Sequence, residues 1–290
     1  MLIKKGGFIG MRLSNIIKIV LFTLSFYIIF IAYETYSTKM TTPPTTQTAK
    51  NNKQPLWVYS LNGKSINHII IGDSFVQNIY NHFPFGFASL INDELEETTK
   101  KTILSHVYNQ ETDTIEEVFH KVQSEKILKL VPKADVITIS SGMEDFLPLL
   151  EEYNQSFETS SYMDQIKNMY FENLQMLIEM IRSQNPFTLI ILNEIYFPLW
   201  FDETAYPETS TFVDSWNSEL QELSDVYEPM IITPLNDMFT KNSQHTWTLN
   251  GTYPNDTGIE LIGEWTLKEI ISTPIPKPVV NSSNSNYEPY

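Results

Sequence analysis

The 290-residue chain carries 35 acidic against 19 basic side chains, a formal net charge of -16, and the repulsion from phosphates argues against a nucleic-acid partner. It has no cysteine, which removes disulfides, thiolate catalysis, a cysteine-borne lipid anchor and every cysteine-based metal site. With 42% hydrophobic and 13% aromatic residues, it holds enough apolar material for one sizeable domain with extensions.

The first element is the N-terminus. Residues 1–15 are basic, and Lys4, Lys5, Arg12 and Lys18 precede an uncharged run from Ile19 to Tyr33. With Ile16 and Ile17 added and Lys18 snorkelling, the segment reaches about 18 residues, near the lower limit for a membrane helix. The spacing predicts a signal-anchor over 16–35, with the basic flank in the cytoplasm and the rest of the chain outside it. The alternatives are a buried core helix, since the segment is apolar all round, and a cleaved signal peptide, which would want small residues in an A-x-A-like pattern after the apolar run. The chain offers Ile31-Ala32-Tyr33-Glu34-Thr35-Tyr36 there, a poor match. Residues 36–55 are rich in Thr, Pro, Lys, Asn and Gln and predict a flexible tether. Residues 273–290, rich in Pro, Ser and Asn, predict a disordered tail, which leaves a domain over 56–272.

Inside the domain, strands alternate with helices. His68-Ile69-Ile70-Ile71, Ala134 to Ser140, Phe187 to Leu192 and Met230-Ile231-Ile232 are short apolar runs with the character of buried strands. Between them Ile166, Met169, Tyr170, Leu174, Leu177 and Ile181 recur at helical spacing, and 213–226 and 258–271 read similarly. This alternation predicts a three-layer α/β/α sandwich around a parallel sheet covered on both faces. In such sheets ligands bind at the carboxyl ends of the strands. Two segments sit there: Gly72-Asp73-Ser74, and Ser141-Gly142-Met143-Glu144-Asp145. Taken alone, Ser74 at a strand-to-helix turn could equally be an N-cap. No H-E-x-x-H or other tight ligand spacing occurs, so neither a metal nor another cofactor is expected. The acidic cluster Glu94, Glu96 and Glu97 reads as a solvated surface.

Three blocks together carry a resemblance. Ile71-Gly72-Asp73-Ser74-Phe75 is followed mid-chain by Val136-Ile-Thr-Ile-Ser-Ser-Gly142-Met143-Glu144-Asp145-Phe146. Near the end comes Leu249-Asn250-Gly251-Thr252-Tyr253-Pro254-Asn255-Asp256-Thr257-Gly258. In order and spacing these resemble the GDS, G-x-N-D and D-G-x-H-P-N-x-x-G blocks of the SGNH (GDSL-type) hydrolases. Asn185-Pro186, the strand running into Asn193-Glu194-Ile195-Tyr196, and Trp216-Asn217 resemble the membrane-anchored bacterial GDSL lipases. The likeness covers nearly all of 66–272. It implies a flavodoxin-like sheet topology and serine acyl transfer, with no cofactor. In that chemistry a His activates the Ser, an Asp orients the His, and an oxyanion hole uses the Ser amide, a Gly and an Asn side chain.

Carried over by residue, Ser74 matches the nucleophile, with Gly72 and Asp73 beside it. The His position holds Tyr253, the Asp position Asn250 and the oxyanion Asn position Glu144, after Gly142. The remaining oxyanion glycine maps to Asn109. A phenol with a reference pKa near 10 is ionised about once in a thousand at pH 7 and is a poor base for a serine hydroxyl. Glu144 places a carboxylate where negative charge would develop. General-base catalysis is worth about 10² to 10⁴ and one oxyanion donor about 10² to 10³, so losing both removes most of the rate. His245, eight residues before Tyr253, could swing towards Ser74 or be an exposed loop residue, and Glu144 could act as base if burial raised its pKa. His68, His82, His106 and His120 match no catalytic slot.

Two functional readings follow. One is a membrane-tethered hydrolase of lipid or acylated-glycan esters, as the resemblance implies. The other is a pseudo-hydrolase that keeps the cleft to bind an envelope ligand or a partner protein.

Overall fold

Four strands are short runs dominated by Ile, Val, Leu and Thr, side chains that fill a pleated surface between two covering layers. The computed structural model describes residues 57–61, 63–73, 82–109, 113–153, 160–202, 204, 207–240 and 246–274. The predicted anchor over 16–35, the tether over 36–55, the tail beyond Pro274, Ser74 and His245 lie outside the described residues. Among the described residues no helix is long and apolar enough to cross a membrane.

The sheet has five strands: β1 (Ser65–Gly72), β2 (Thr102–Asn109), β3 (Val136–Ser140), β4 (Leu189–Asn193) and β5 (Met230–Thr233). Their order is β2-β1-β3-β4-β5 and every pairing is parallel, the flavodoxin-like arrangement. All residues of β3 and β4 are buried, so both alternating faces of the sheet centre are covered. The longer helices are α1 (Phe87–Thr99), α2 (Ile115–Val122), α3 (Met143–Tyr153), α4 (Ser160–Gln184), α5 (Pro207–Val226) and α6 (Asp256–Ser272). Helix α6 packs on α1 and β5, while α2 and α3 pack on α4. Trp216 of α5 packs tilted against Tyr170 and edge-on against Phe171 of α4, with ring centroids 4.4 and 5.5 Å away.

The alternation of strands and helices is as the sequence reading expected. The edge strand β2 is an addition to it. Its sequence Thr-Ile-Leu-Ser-His-Val-Tyr-Asn is polar at several positions, and no residue of it is fully buried, so it lacks the continuous apolar run that marks the inner strands. Glu94, Glu96 and Glu97 lie on the exposed face of α1. The two ends of the domain meet: the Trp57 amide donates to the Thr273 carbonyl at 2.8 Å, and Trp57 Nε1 donates to the Phe187 carbonyl at 3.1 Å.

Candidate functional site

Strand β1 ends at Gly72, which lies in register between Asn109 of β2 and Ser140 of β3. Its φ is +144°, and a Cβ there would sit 2.0 Å from the Ser140 carbonyl oxygen, so the close approach of two strand ends requires glycine. Asp73 follows, almost fully buried. Its amide donates to the Ser140 carbonyl at 3.1 Å, and the Ser140 hydroxyl donates to Asp73 Oδ1 at 2.8 Å. Asn193, at the end of β4, donates from Nδ2 to the same hydroxyl at 3.3 Å. The chain thus leaves Asp73 at the carboxyl edge of the sheet, anchored sideways across three strands, immediately before Ser74.

The second block begins the next helix. Gly142 precedes α3 and lies against Tyr170 and Ile195. Glu144 is half-buried in the first turn of α3. The carboxylate of Asp145, the following residue, accepts the backbone N–H of Ile115 at the start of α2 at 3.1 Å. Burial pushes the Asp145 carboxyl up to about 7; the Ile115 amide opposes this and the charges of Glu117 and Glu144 add to it. The neighbourhood therefore disfavours further negative charge.

The third block forms a pinned loop ahead of α6. Leu249 N donates to the Tyr253 carbonyl at 3.0 Å, and the Asn250 Oδ1 accepts the amides of Thr252 and Tyr253, both at 3.1 Å. The Asn250 side chain is thus committed to its own turn through the oxygen, and does not bond to the Tyr253 phenol. Asn255 caps α6 by accepting Gly258 N at 3.0 Å and donates to the Thr246 carbonyl at 2.8 Å. A Cβ at Gly258 would lie 2.2 Å from the Trp247 carbonyl oxygen.

The structure brings two of the altered positions together. The Tyr253 hydroxyl donates to Glu144 Oε1 at 3.1 Å, joining the two residues that the motif resemblance aligns with a His and an Asn. Next to them the Tyr196 phenol is buried and donates to the Thr252 carbonyl. Burial, with Tyr253 and Asp73 nearby, pushes the Tyr196 ionisation well above the usual tyrosine range. Trp200 Nε1 donates to Thr252 Oγ1 at 3.2 Å. Tyr196 and Trp200 were not singled out from sequence as site residues. Their signal was positional, because they follow the carboxyl end of β4, where ligands bind in this class of sheet. Of the other histidines, His68 is buried between Asn92 Oδ1 at 2.6 Å and Thr138 Oγ1 at 2.8 Å, and burial lowers its pKa to about 4. His82 lies exposed beside Asp256, with Nδ1 2.5 Å from Oδ2. Among the described residues no group of acidic and histidine side chains is arranged to hold a metal.

No protein-family model matches the sequence, and no curated protein is similar to it by sequence. Solved structures do match. A lipase from a goat rumen metagenome has a TM-score of 0.62 at 21% identity, over 71% of this chain and 97% of that one. A protein from Parabacteroides merdae assigned as a GDSL-like lipase gives 0.55 at 18%, over 75% and 99%. An acetyl-xylooligosaccharide esterase from Geobacillus gives 0.54 at 16%, over 72% and 95%. The chain therefore has the SGNH/GDSL hydrolase-like fold.

Proposed function

We propose that this chain is a membrane-tethered, extracytoplasmic protein of the GDSL-hydrolase type whose ester hydrolysis is weak or lost, and whose cleft binds a ligand of the cell envelope. The carrying observation is the hydrogen bond from the Tyr253 phenol to Glu144, at 3.1 Å. It ties up the two side chains that stand where base and oxyanion donor would be needed. Neither a neutral phenol nor a carboxylate acceptor can serve there.

A second set of contacts supports the same reading. Apart from Ser74, residues shared with the hydrolase motifs serve the scaffold: Gly72 for strand contact, Asp145 for the start of α2, Asn255 and Gly258 for the start of α6. The residues that differ, Glu144, Asn250 and Tyr253, are the ones acyl transfer needs. The structural neighbours include a lipase and an acetyl-xylooligosaccharide esterase, so lipids and acylated glycans are the ligand classes to consider. The membrane tether rests on the basic flank, the apolar run over 16–35 and the polar stretch after it.

Turnover of p-nitrophenyl acetate and butyrate by the full chain in detergent micelles tests the catalytic half of the proposal. Wild type is expected to run at the Ser74→Ala background rate or only slightly above it. Robust wild-type turnover that disappears in Ser74→Ala would contradict it and point to His245 or Glu144 as the base.

A further inference from the structure

The loop that runs into Tyr253 also lines a pocket, with Asn250 on its wall. Leu199 N donates to the Gly251 carbonyl at 2.7 Å, Tyr196 donates to the Thr252 carbonyl, and Trp200 Nε1 donates to Thr252 Oγ1 at 3.2 Å. This clamp holds the loop against the segment after β4. It also fixes Trp200 with 44% of its surface exposed and Leu249 with 63% exposed. Leu199, Trp200, Thr248, Leu249, Asn250 and Gly251 line an open cavity of about 400 Å³.

We propose that this cavity is a carbohydrate subsite, in which a neutral pyranose ring stacks on the Trp200 indole and the rest of the glycan runs towards Tyr253 and Glu144. The inference rests on the ligand-binding reading above and names the ligand's chemistry. Four observations carry it. The only polar atom of the Trp200 ring is bonded to Thr252 while 44% of the residue is exposed, so what the indole offers a ligand is apolar ring carbon. A pyranose ring has a matching face of C–H groups and a rim of hydroxyls. Asn250 is exposed with its Oδ1 committed to two loop amides, so its Nδ2 is the donor it offers to such hydroxyls. The net charge of -16 disfavours anionic ligands such as acidic glycans or anionic lipid headgroups. Finally, the cavity is open and includes Thr248 and Asn250, whereas an acyl chain would want an enclosed apolar channel.

The test is a binding titration of the full chain in detergent micelles. The neutral probes are chitotetraose, xylotetraose and cellotetraose, with tetragalacturonate as the acidic probe and dodecanoate as the acyl probe. Saturation-transfer NMR and calorimetry read the binding. At least one neutral tetrasaccharide is expected to bind at least tenfold more tightly than tetragalacturonate or dodecanoate. Trp200→Ala is expected to weaken it at least tenfold, Trp200→Phe to recover part of the loss, and Met176→Ala on α4 to leave it unchanged. Absence of binding by all three neutral probes, preference for the acidic or acyl probe, or binding undiminished in Trp200→Ala would overturn the inference. Those results leave the non-catalytic reading intact. Robust serine-dependent ester turnover would sink that reading whatever the glycan titration shows.

Discussion

Tyr253 and Glu144 engage each other by one hydrogen bond, while Asp145, one residue along, is occupied with the start of α2. Asp145 and His68 make opposite contributions to pH dependence, and the signs can be worked out. The His68 pKa falls from 6.5 to about 4 on folding, so the unfolded chain takes up a proton first as pH drops. Its contribution is complete above pH 6.5 and is lost down to about pH 4, on the order of 3 kcal/mol. The Asp145 pKa rises from 3.8 to about 7, so the folded chain binds the extra proton. Its ionised form costs stability above pH 7, and that cost is relieved as pH falls towards 4, by a similar amount. The two contributions largely offset in one window. In Asp145→Asn the amide oxygen can still accept Ile115 N, but the offset is gone. Urea unfolding from pH 7.5 to 4.5 should therefore show this variant losing roughly 3 kcal/mol more than wild type on acidification. Parallel pH profiles would show that the Asp145 carboxyl is not held protonated by burial.

At the scale of elements, the loop before α6 is where the motif and the scaffold separate. Asn255 caps the helix and also ties it to the Thr246 carbonyl, so Asn255→Ala should cost about 1–3 kcal/mol. Gly258→Ala should cost more, because its Cβ would lie 2.2 Å from the Trp247 carbonyl oxygen and backbone must move. Both should appear as lowered midpoints in thermal unfolding, and a neutral Gly258→Ala would mean that the helix start is not packed as described. The inner strands and the long helices α4, α5 and α6 were legible in the sequence, because continuous apolar runs and helical spacing report burial directly. Strand β2 was not, because polar residues interrupt it and none of it is fully buried, unlike the other edge strand, β5, whose apolar run was readable. The segments that carry Glu144, Asn250 and Tyr253 could be placed from the sequence, whereas their part in a functional site is the proposal made above. The pairing of Glu144 with Tyr253 was not legible, since no local pattern encodes a contact across 109 positions. Nor was the turn role of Asn250, because a family motif names a residue's task in the family and not its bonds here.

For the whole molecule, the closure of Trp57 on Thr273 sets the domain limits one or two residues beyond the compositional boundary at Ser272. A protein spanning Leu56 to Pro274 should unfold in a single cooperative transition, with circular dichroism and tryptophan fluorescence giving coincident urea curves. Aggregation relieved only by restoring residues 1–55 would contradict that boundary. The central claim is that the GDSL-type scaffold is kept while its acyl-transfer machinery is not. The most direct test is labelling of the full chain by a fluorophosphonate probe, which reacts only with an activated serine. Wild type should stay unlabelled at Ser74. The triple variant Glu144→Asn, Asn250→Asp and Tyr253→His should gain labelling at Ser74. The carboxylate introduced by Asn250→Asp can accept the same two loop amides, and breaking the Tyr253–Glu144 bond frees both positions. Each single substitution should do little, because these groups act as a unit. Rapid labelling of wild-type Ser74, abolished in Ser74→Ala, would contradict the account and show an activated serine served by groups other than Tyr253 and Asn250.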